Sequence, residues 1–568
     1  MFLTILVSRF AFAIDGGSQF DAGNQLNQIE RDQKKKEPLR APPVIEEDKP
    51  IPKPKAQGET FKVNNFLFEG NTLVSSDELK AFLKAYLNLE ITLDELKSAV
   101  DSISIFYKDR GYLATANLPK QDITEGIVKI IITEAKFGGA ELMLDPNIKY
   151  RVEPHIVQKF VENKNPKGKI LNLNRLGKAI LIADELPGVS VTQSLKPGSK
   201  DGQTNSVLDI NNESAYVARI STDNYGARAT GYARYQANVS FLSPLGRGDR
   251  VDLGYLHSRG VDYGRFSFSN PIGYSGLRGG ITASALKYDV VAGTALSLKP
   301  EGEAETISFD LSYPLDRTRT LDLSITSSLE RRHFRNKIDN ATDSNYLVDI
   351  LNFGSSLNHK NILFIAGETY ASVDFDFGNA NYDNSPASFK STKVSQHIEG
   401  RFNRLRFLIN NTQFYTETIS SVLKLNGQIS DTNLDSSQKI YLGGATGVRS
   451  YPTSEGSGSN GYIFSAELHK ELPKNFTLLG FYDHGFAQQY VKSNDSTGTP
   501  ITSEKNTFTL RGYGVSLEWT GFINSYRSTI AGIWSKRIGG HPNPETDGTD
   551  SDGRQPHNFV WIRGAIDF

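Results

Sequence analysis

The chain has 568 residues, a net charge of -1, no cysteine and a mean hydropathy of -0.39. This excludes disulfides, thiol catalysis and cysteine-ligated metal, gives no electrostatic reason to expect a nucleic-acid partner, and leaves no apolar run long enough for a membrane-spanning helix. A count of 50 glycines, 24 tyrosines and 32 phenylalanines against 2 methionines, on a polar average, suits a membrane β-barrel, although composition alone leaves a large soluble β-protein open.

Residues 1–13 read as the end of a secretory signal, with Phe2 to Val7 apolar and Ala11-Phe12-Ala13 a small-residue cleavage pattern. A basic leading region is missing and Arg9 interrupts the apolar run, so the start is expected to lie upstream; a plain unstructured N-terminus is the alternative. Residues 14–36 form a polar segment. Within it Asp21 is placed to cap a helix that carries Leu26 and Ile29 on one face. A helix this polar has no evident core to join, so it suits either a wet channel or disorder. Residues 37–59, with Pro38, Pro42, Pro43, Pro50, Pro52 and Pro54, read as an extended linker.

Order is expected from Phe61. Phe61 to Phe68 reads as a strand, and Ser75-Ser76-Asp77-Glu78 and Thr92-Leu93-Asp94-Glu95 are capping boxes. Leu79, Phe82, Leu83, Tyr86 and Leu87 follow the first at helical spacing. Leu96, Val100, Ile103 and Tyr107 follow the second, and Gly111 is a C-terminal stop. Strands at 113–118 and 127–133 complete a β-α-α-β-β unit over 61–138. A weaker copy spans 139–213. It has a strand at 142–144, a helix opened by Pro154, a helix capped by Asn174 and ended at Pro187-Gly188, and strands at 189–194 and 207–210. Two tandem small α+β domains therefore precede residue 214.

Over 214–568 helical periodicity disappears. Roughly sixteen segments of about ten residues alternate in polarity between turns, the pattern of an all-β antiparallel transmembrane barrel. In Tyr232 to Phe241, for example, Ala233, Tyr235, Ala237, Val239 and Phe241 take one face and polar residues the other. A soluble β-solenoid or sandwich explains an apolar outer face less well. The turn Pro244 to Asp249 is short, whereas 425–460, 491–506 and 537–557 are long and polar.

The long stretch holds Gly443-Gly444-Ala445-Thr446-Gly447-Val448-Arg449-Ser450-Tyr451-Pro452. Taken alone it reads as a solvated turn with an incidental arginine. In the segment 475–487, however, Phe481, Asp483 and Gly485 share one face by period two. A carboxylate turned into a barrel lumen is costly without a cation, and Arg449 lies in a loop long enough to reach Asp483.

At this point the chain resembles the outer-membrane transporters of two-partner secretion, the haemolysin secretion/activation type. These belong to a superfamily that joins periplasmic POTRA domains to a sixteen-stranded barrel. Asp223-Asn224-Tyr225-Gly226 with Thr230-Gly231 resembles the family's barrel opening, and Pro244 to Asp249 its first short turn. Val448-Arg449-Ser450-Tyr451 resembles the Val-Arg-Gly-Tyr/Phe signature of the sixth extracellular loop, with Ser450 in place of the usual glycine. Phe481-Tyr482-Asp483-His484-Gly485 resembles the Phe-x-Asp-x-Gly signature. The resemblance implies a loop folded into the lumen with Arg449 on Asp483, a plug helix at 14–36, POTRA domains at 61–138 and 139–213, and an assembly signal at Phe568.

The function so implied is export of a large haemolysin- or adhesin-like partner, captured by the POTRA domains, across the bacterial outer membrane. No phosphate-binding Gly-Lys-Ser/Thr loop is present, and no catalytic, cofactor-binding or metal-binding residue is identified. Expected partners are the secreted protein, outer-membrane lipid and the barrel-assembly machinery; nucleic acid is not expected, and the chain is expected to be a monomer. The rival readings are an assembly insertase of the same superfamily, a passive porin, and a barrel enzyme. The last lacks a recognisable triad around His257, His333, His469 or His484.

Overall fold

The computed structural model describes residues 21–33, 60–123, 125–362, 366–502, 505–540, 548–554 and 556–568. The expected signal segment 1–13 and linker 37–59 lie outside these residues.

The first unit holds β1 (Thr60–Lys62), β2 (Asn65–Glu69), β3 (Glu90–Thr92), β4 (Ala114–Asn117) and β5 (Ile127–Glu134). The expected single strand 61–68 is thus two strands. The chain breaks step at Val63 and Asn64, whose amides donate to the Leu89 and Gly126 carbonyls. β1 then pairs with β3, while β2 joins a β2-β5-β4 sheet. Helices Ser76–Phe82 and Leu93–Asp109 bury Leu79, Leu96, Val100, Ile103 and Tyr107 against Phe66, Val128 and Ile130. Ser75 accepts the Glu78 amide at 3.2 Å, and Thr92 and Glu95 exchange both capping bonds. Gly111 has φ +80°, the left-handed stop that glycine permits.

The second unit comprises β6 (Lys136–Met143), β7 (Val189–Pro197) and β8 (Gln203–Asn212), in the order β6-β8-β7. β6 pairs from Lys136 with Gln203, so it begins well before the expected 142–144. Gly138 and Gly139 hide its alternation in the sequence. Helices Pro154–Lys164 and Leu173–Asp184 cover the sheet. The second is capped by Asn172, whose side chain accepts the Arg175 amide at 2.8 Å. Asn174, the expected cap, instead lies over Gly111, where a Cβ would meet its amide nitrogen at 2.3 Å.

This unit is seated on the barrel's short turns. The Glu153 amide donates to Gly246 at 2.9 Å, and the Ser243 hydroxyl donates to Pro187. Phe160 meets Tyr274 edge-on at 5.8 Å, and Lys178 and Glu185 pair with Asp316 and Arg317 at 2.9 Å each.

The remaining chain forms a closed barrel. Its strands are β9 (Tyr216–Asp223), β10 (Arg234–Leu242), β11 (Arg250–Ser258), β12 (Val261–Pro271), β13 (Arg278–Asp289), β14 (Pro300–Arg317), β15 (Leu321–Ile338) and β16 (Ala341–Lys360). β17 (Gly367–Asn381), β18 (Gly400–Phe414) and β19 (Ile419–Ser430) follow. After a long inserted loop with its own short pair, β20 (Ile440–Tyr441) and β21 (Ser457–Gly458), come β22 (Asn460–Leu472), β23 (Phe476–Gln488), β24 (Thr507–Ile523), β25 (Tyr526–Arg537) and β26 (Asn558–Asp567). Each barrel strand is antiparallel to its neighbours, and β26 returns to β9, giving sixteen strands among the described residues. Tyr235, Phe241, Phe309, Leu329, Phe353 and Val515 are among the exposed outward residues, an apolar belt that only lipid covers well.

The helix Ala22–Gln33 lies inside the barrel, against β13, β14 and β15. Asp21 caps it, accepting the Asn24 amide at 2.7 Å. Contrary to the expectation that so polar a helix has no core, Ala22, Leu26 and Ile29 are buried in a cluster with inward-facing Leu256, Tyr263, Leu286, Tyr288, Phe334 and Tyr346. The barrel wall here is apolar on its inner side as well.

One carboxylate organises the first unit. Glu134 accepts the Thr72 and Leu73 amides at 2.7 and 2.8 Å, the Thr72 hydroxyl, and the Tyr107 hydroxyl at 3.0 Å. Burial opposes its charge, but these donors, Thr72 foremost, hold its carboxyl below the ordinary value. Glu134→Gln is expected to destabilise this unit by about 1–2 kcal/mol at pH 7, read as the urea midpoint for protease protection of residues 60–135. Because the folded-state pKa is depressed, the stabilisation is present above the ordinary value of 4.5 and is lost as pH falls through the folded one. The gap between native and Gln proteins therefore closes in acid.

Candidate functional site

The connection 431–459 between β19 and β22 does not project outward but fills the lumen. β20 and β21 pair within it, and the Val448 amide donates to Leu442 at 2.7 Å. Gly444 takes φ +108°, and a Cβ at Gly447 would meet the Leu442 carbonyl at 2.1 Å, so the tight turn depends on both. Leu442, Val448 and Tyr451 pack with Ile463, Ala487 and Leu510 on the inner wall of β22–β24. A hydrophobic footing thus carries the tip inward.

Arg449 extends from that footing to β23. Its Nε donates to Asp483 Oδ2 at 2.9 Å, its Nη2 to Asp483 Oδ1 at 2.7 Å, and its own amide to Oδ2 at 3.1 Å. Ser465 on β22 donates to Asp483 Oδ1 at 2.7 Å and accepts from Arg449 Nη2 at 2.9 Å. The guanidinium lies 3.4 Å above the centre of the Phe481 ring. A second carboxylate, Glu467, stands 3.1 Å from Nη2 and also holds Lys424 at 2.9 Å and His469 at 3.0 Å. Arg449 is 8% exposed, Glu467 5% and Asp483 0%, so the bidentate geometry and the second acid replace water around a buried cation.

The neighbouring residues make room for the tip. A Cβ on Gly485 would meet Val448 at 2.9 Å, one on Gly512 the Ser450 hydroxyl at 1.8 Å, and one on Gly514 the Phe481 ring at 2.5 Å. Ser450 is buried without a positive φ, so the serine at this position costs no backbone strain. Its hydroxyl donates to Lys536 at 3.0 Å, and its carbonyl accepts from Arg537 at 3.2 Å. Tyr451 lies 4.5 Å beneath the Arg537 guanidinium. The Arg449 carbonyl accepts from Ser535 on β25 and from the Trp561 indole on β26, both at 2.7 Å.

The lumenal helix grips the same loop. Arg31 donates to the Tyr441 carbonyl at 2.5 Å, and Asp32 accepts from Thr446 and from Arg234 on β10, both at 2.7 Å. Arg234 in turn donates to Asp223 at 2.7 Å.

The structure therefore brings together Val448, Arg449, Ser450, Tyr451, Phe481, Asp483 and Gly485. Phe568 lies apart, its amide donating to Ala218 at 2.8 Å and its ring 4.7 Å from Tyr526. His257, His333 and His484 stand away from the site, on Asp262, Asn345 and Tyr462. Glu467 was legible by the same inward-carboxylate rule that singles out Asp483. Trp561, Gly512 and Gly514 were not, because their role exists only once the loop is inside.

Arg449→Ala and Asp483→Ala are each expected to lower the thermal stability of the folded barrel by roughly 3–5 kcal/mol, read as heat-modifiability on semi-native gels. The double variant should lose less than the sum of the two, because both remove one interaction. Glu467→Gln should cost less than either, since Asp483 retains both guanidinium bonds. Additive losses would remove the coupling.

The family model for haemolysin secretion/activation proteins of the ShlB/FhaC/HecB type matches residues 202–515, and that for ShlB-type POTRA domains matches 61–135. The chain is 28% identical over 464 residues to the heme/hemopexin transporter protein HuxB of Haemophilus influenzae, covering 80% of each chain. It is 23% identical to the outer membrane transporter CdiB of Dickeya dadantii, covering 78% of this chain and 79% of that one. Its fold is similar to that of CdiB from Escherichia coli, with a TM-score of 0.72, 19% identity, and 98% and 99% of the two chains covered. The chain belongs to the haemolysin secretion/activation family of two-partner secretion transporters, with its barrel in the outer membrane and its POTRA region in the periplasm.

Proposed function

We propose that this protein captures a large haemolysin- or adhesin-like exoprotein with its two periplasmic units and passes it through the barrel without hydrolysing nucleotide. The observation that carries this is a lumen occupied by a helix and an arginine-anchored loop, above a small domain seated on the barrel's short turns. A passive porin has no use for such an arrangement. The helix Ala22–Gln33 acts as the plug and the Arg449 loop as its support. Capture occurs by strand addition: β2 and β4 border the first sheet, and β6 and β7 the second, so an unfolded chain finds edges to extend. Export is driven by folding of the cargo outside. The chain works as a monomer and is assembled by the barrel-assembly machinery, with Phe568 as part of the signal that machinery reads.

Deleting 60–135 is expected to leave a heat-resistant barrel that no longer retains the secretion domain of its partner exoprotein. The cut ends before Lys136 because β6 belongs to the second sheet. Unchanged retention in a pull-down would remove capture by the first unit. Deleting 21–33 should raise single-channel conductance in planar bilayers, and an equal conductance would show that the helix does not limit the pore. Removing Phe568 should lower the amount of assembled barrel on semi-native gels without changing export per assembled molecule.

A further inference from the structure

Where the strands rise beyond the lipid belt, the outer wall carries charge of two kinds. On β12–β16 the cations are matched. Arg331 holds Asp349 at 2.7 and 2.9 Å, and Arg335 holds Glu303 and Glu305 at 3.0 and 2.8 Å. Lys287 stands in register between Asp262 and Glu303. On β24 and β25 the cations are unmatched. Arg511 and Lys536 are exposed, and neither side chain has a hydrogen bond or ion pair among the described residues. Their outward neighbours are His484, opposite Arg511, and Tyr513 and Asn558, on either side of Lys536. None of these is a carboxylate, and Asp483, next to His484 in the chain, points inward to Arg449. Diagonal neighbours across an antiparallel pair lie about 7–8 Å apart, so the two long cationic side chains can converge on one small anion.

The height of this pair on the wall says what kind of anion meets it. On β24 the outward residues Tyr513, Val515, Leu517 and Ile523 are exposed. The strand from Tyr513 to Ile523 covers about 33 Å at 3.3 Å per residue. At a tilt of about 40° that is about 25 Å of height, the depth of the apolar band of a membrane barrel. Arg511 is the next outward position beyond Tyr513, and Lys536 the next beyond Trp534. Both lie at the strand ends remote from the turns that seat the second unit, and so at the headgroups of the outer leaflet. Tyr462, Tyr482, Tyr513 and Trp534 are exposed around them. Tyr462 stacks on His484 at 5.7 Å, and Tyr513 meets Trp534 edge-on at 6.4 Å. Such rings belong at a membrane interface, with an apolar body and a polar tip.

We propose that Arg511 and Lys536 hold the phosphate of a phosphorylated glycolipid of the outer leaflet, its sugar lying against the aromatic girdle. The Arg511 guanidinium offers two parallel N–H donors to phosphate oxygens, and Lys536 adds a mobile point charge. No carboxylate has to be displaced, whereas Arg331 and Arg335 would each have to leave an acid. The same strands carry Asp483 and Gly512 on their inner side, so the lipid braces the stretch of wall on which the Arg449 loop rests. This reading needs only the outer-membrane location of the barrel and stands apart from what the barrel exports.

The test uses the full chain folded in detergent, with EDTA present so that no divalent cation bridges lipid to Glu303 or Glu305. The probe is lipid A bearing two phosphates, and bound lipid is counted by native mass spectrometry. The double variant Arg511→Gln with Lys536→Gln is expected to raise the half-saturating lipid concentration tenfold or more, and each single change about threefold. Heat-modifiability is checked first; if the double variant does not assemble, the single ones decide. Arg331→Gln, on the matched face, should leave the value unchanged. Lipid A stripped of its phosphates should bind the native chain at least tenfold more weakly. An unchanged value in the variants, an equal rise with Arg331→Gln, or equal binding of the stripped lipid overturns the site. Inorganic phosphate should not displace the lipid at tenfold excess. Displacement at equal concentration would mark a site for a soluble anion and overturn the glycolipid assignment.

Discussion

A guanidinium removed from water is tolerated only where carboxylates and acceptors replace that water, and Arg449 meets this condition at one place in the lumen. Asp483 on β23 and Glu467 on β22 supply two acids from adjacent inward positions, and Ser465 satisfies what remains. The loop tip therefore has a single stable address. Its hydrophobic footing on Val448 and Tyr451 and the missing side chains at Gly485, Gly512 and Gly514 are shaped to that address. Had the loop projected outward, Asp483 would be an uncompensated charge on an inner wall, and Gly512 would serve no purpose.

The helix follows from the loop. It is held between two unlike surfaces, an apolar floor on β13–β16 and a polar latch made of loop groups. Arg31 reaches the Tyr441 carbonyl, Asn27 reaches the Ser437 and Lys439 carbonyls at 2.9 and 3.0 Å, and Gln28 reaches Ser454. Gly23 lets the helix approach closely, since a Cβ there would meet Ser437 at 2.8 Å and the Tyr346 hydroxyl at 3.0 Å. The latch is built from hydrogen bonds, those of Arg31 given by a charged guanidinium, and one shared carboxylate. Each neutral bond of this set is worth about 1 kcal/mol net, and those of the charged groups about 1.5–3 kcal/mol.

How much of this was legible in the sequence depended on whether the signal was local. Capping boxes, the glycine stop and the period-two strands depend on neighbours in the chain, and they read correctly at Thr92, Gly111 and Phe481 to Gly485. The Arg449 to Asp483 geometry was legible because an inward carboxylate poses a question that only a cation answers. Where a partner lies far away in sequence the reading stopped. Asn172 rather than Asn174 caps its helix because Asn174 is pressed on Gly111, some sixty residues distant by position. The helix Ala22–Gln33 looked coreless because its core is contributed by strands hundreds of residues later. Two glycines likewise concealed the start of β6.

The same loop bears on how the barrel closes. β26 and β9 share five registered pairs, Arg563 to Asp567 against Asp223 to Arg219, whereas β25 and β26 share ten. Beyond the short ladder, the Asn224 side chain stands in for a strand backbone, accepting the Ile562 amide at 2.8 Å and donating to Val560 at 3.0 Å. The loop then touches both sides of the seam. The Trp561 indole on β26 donates to the Arg449 carbonyl, and Thr453 donates to the Tyr225 carbonyl, just past β9, at 2.9 Å. Tyr225 and Trp561 meet edge to face across the seam at 5.9 Å. Asp223, the last residue of β9, is held by Arg234, which Asp32 of the helix also holds. The shortest ladder in the barrel is thus reinforced from inside by the two parts that fill the lumen. Displacing the helix removes one charge from Arg234, and displacing the loop removes the acceptor from Trp561. Through these few residues the seam of the wall and the contents of the pore share one set of contacts.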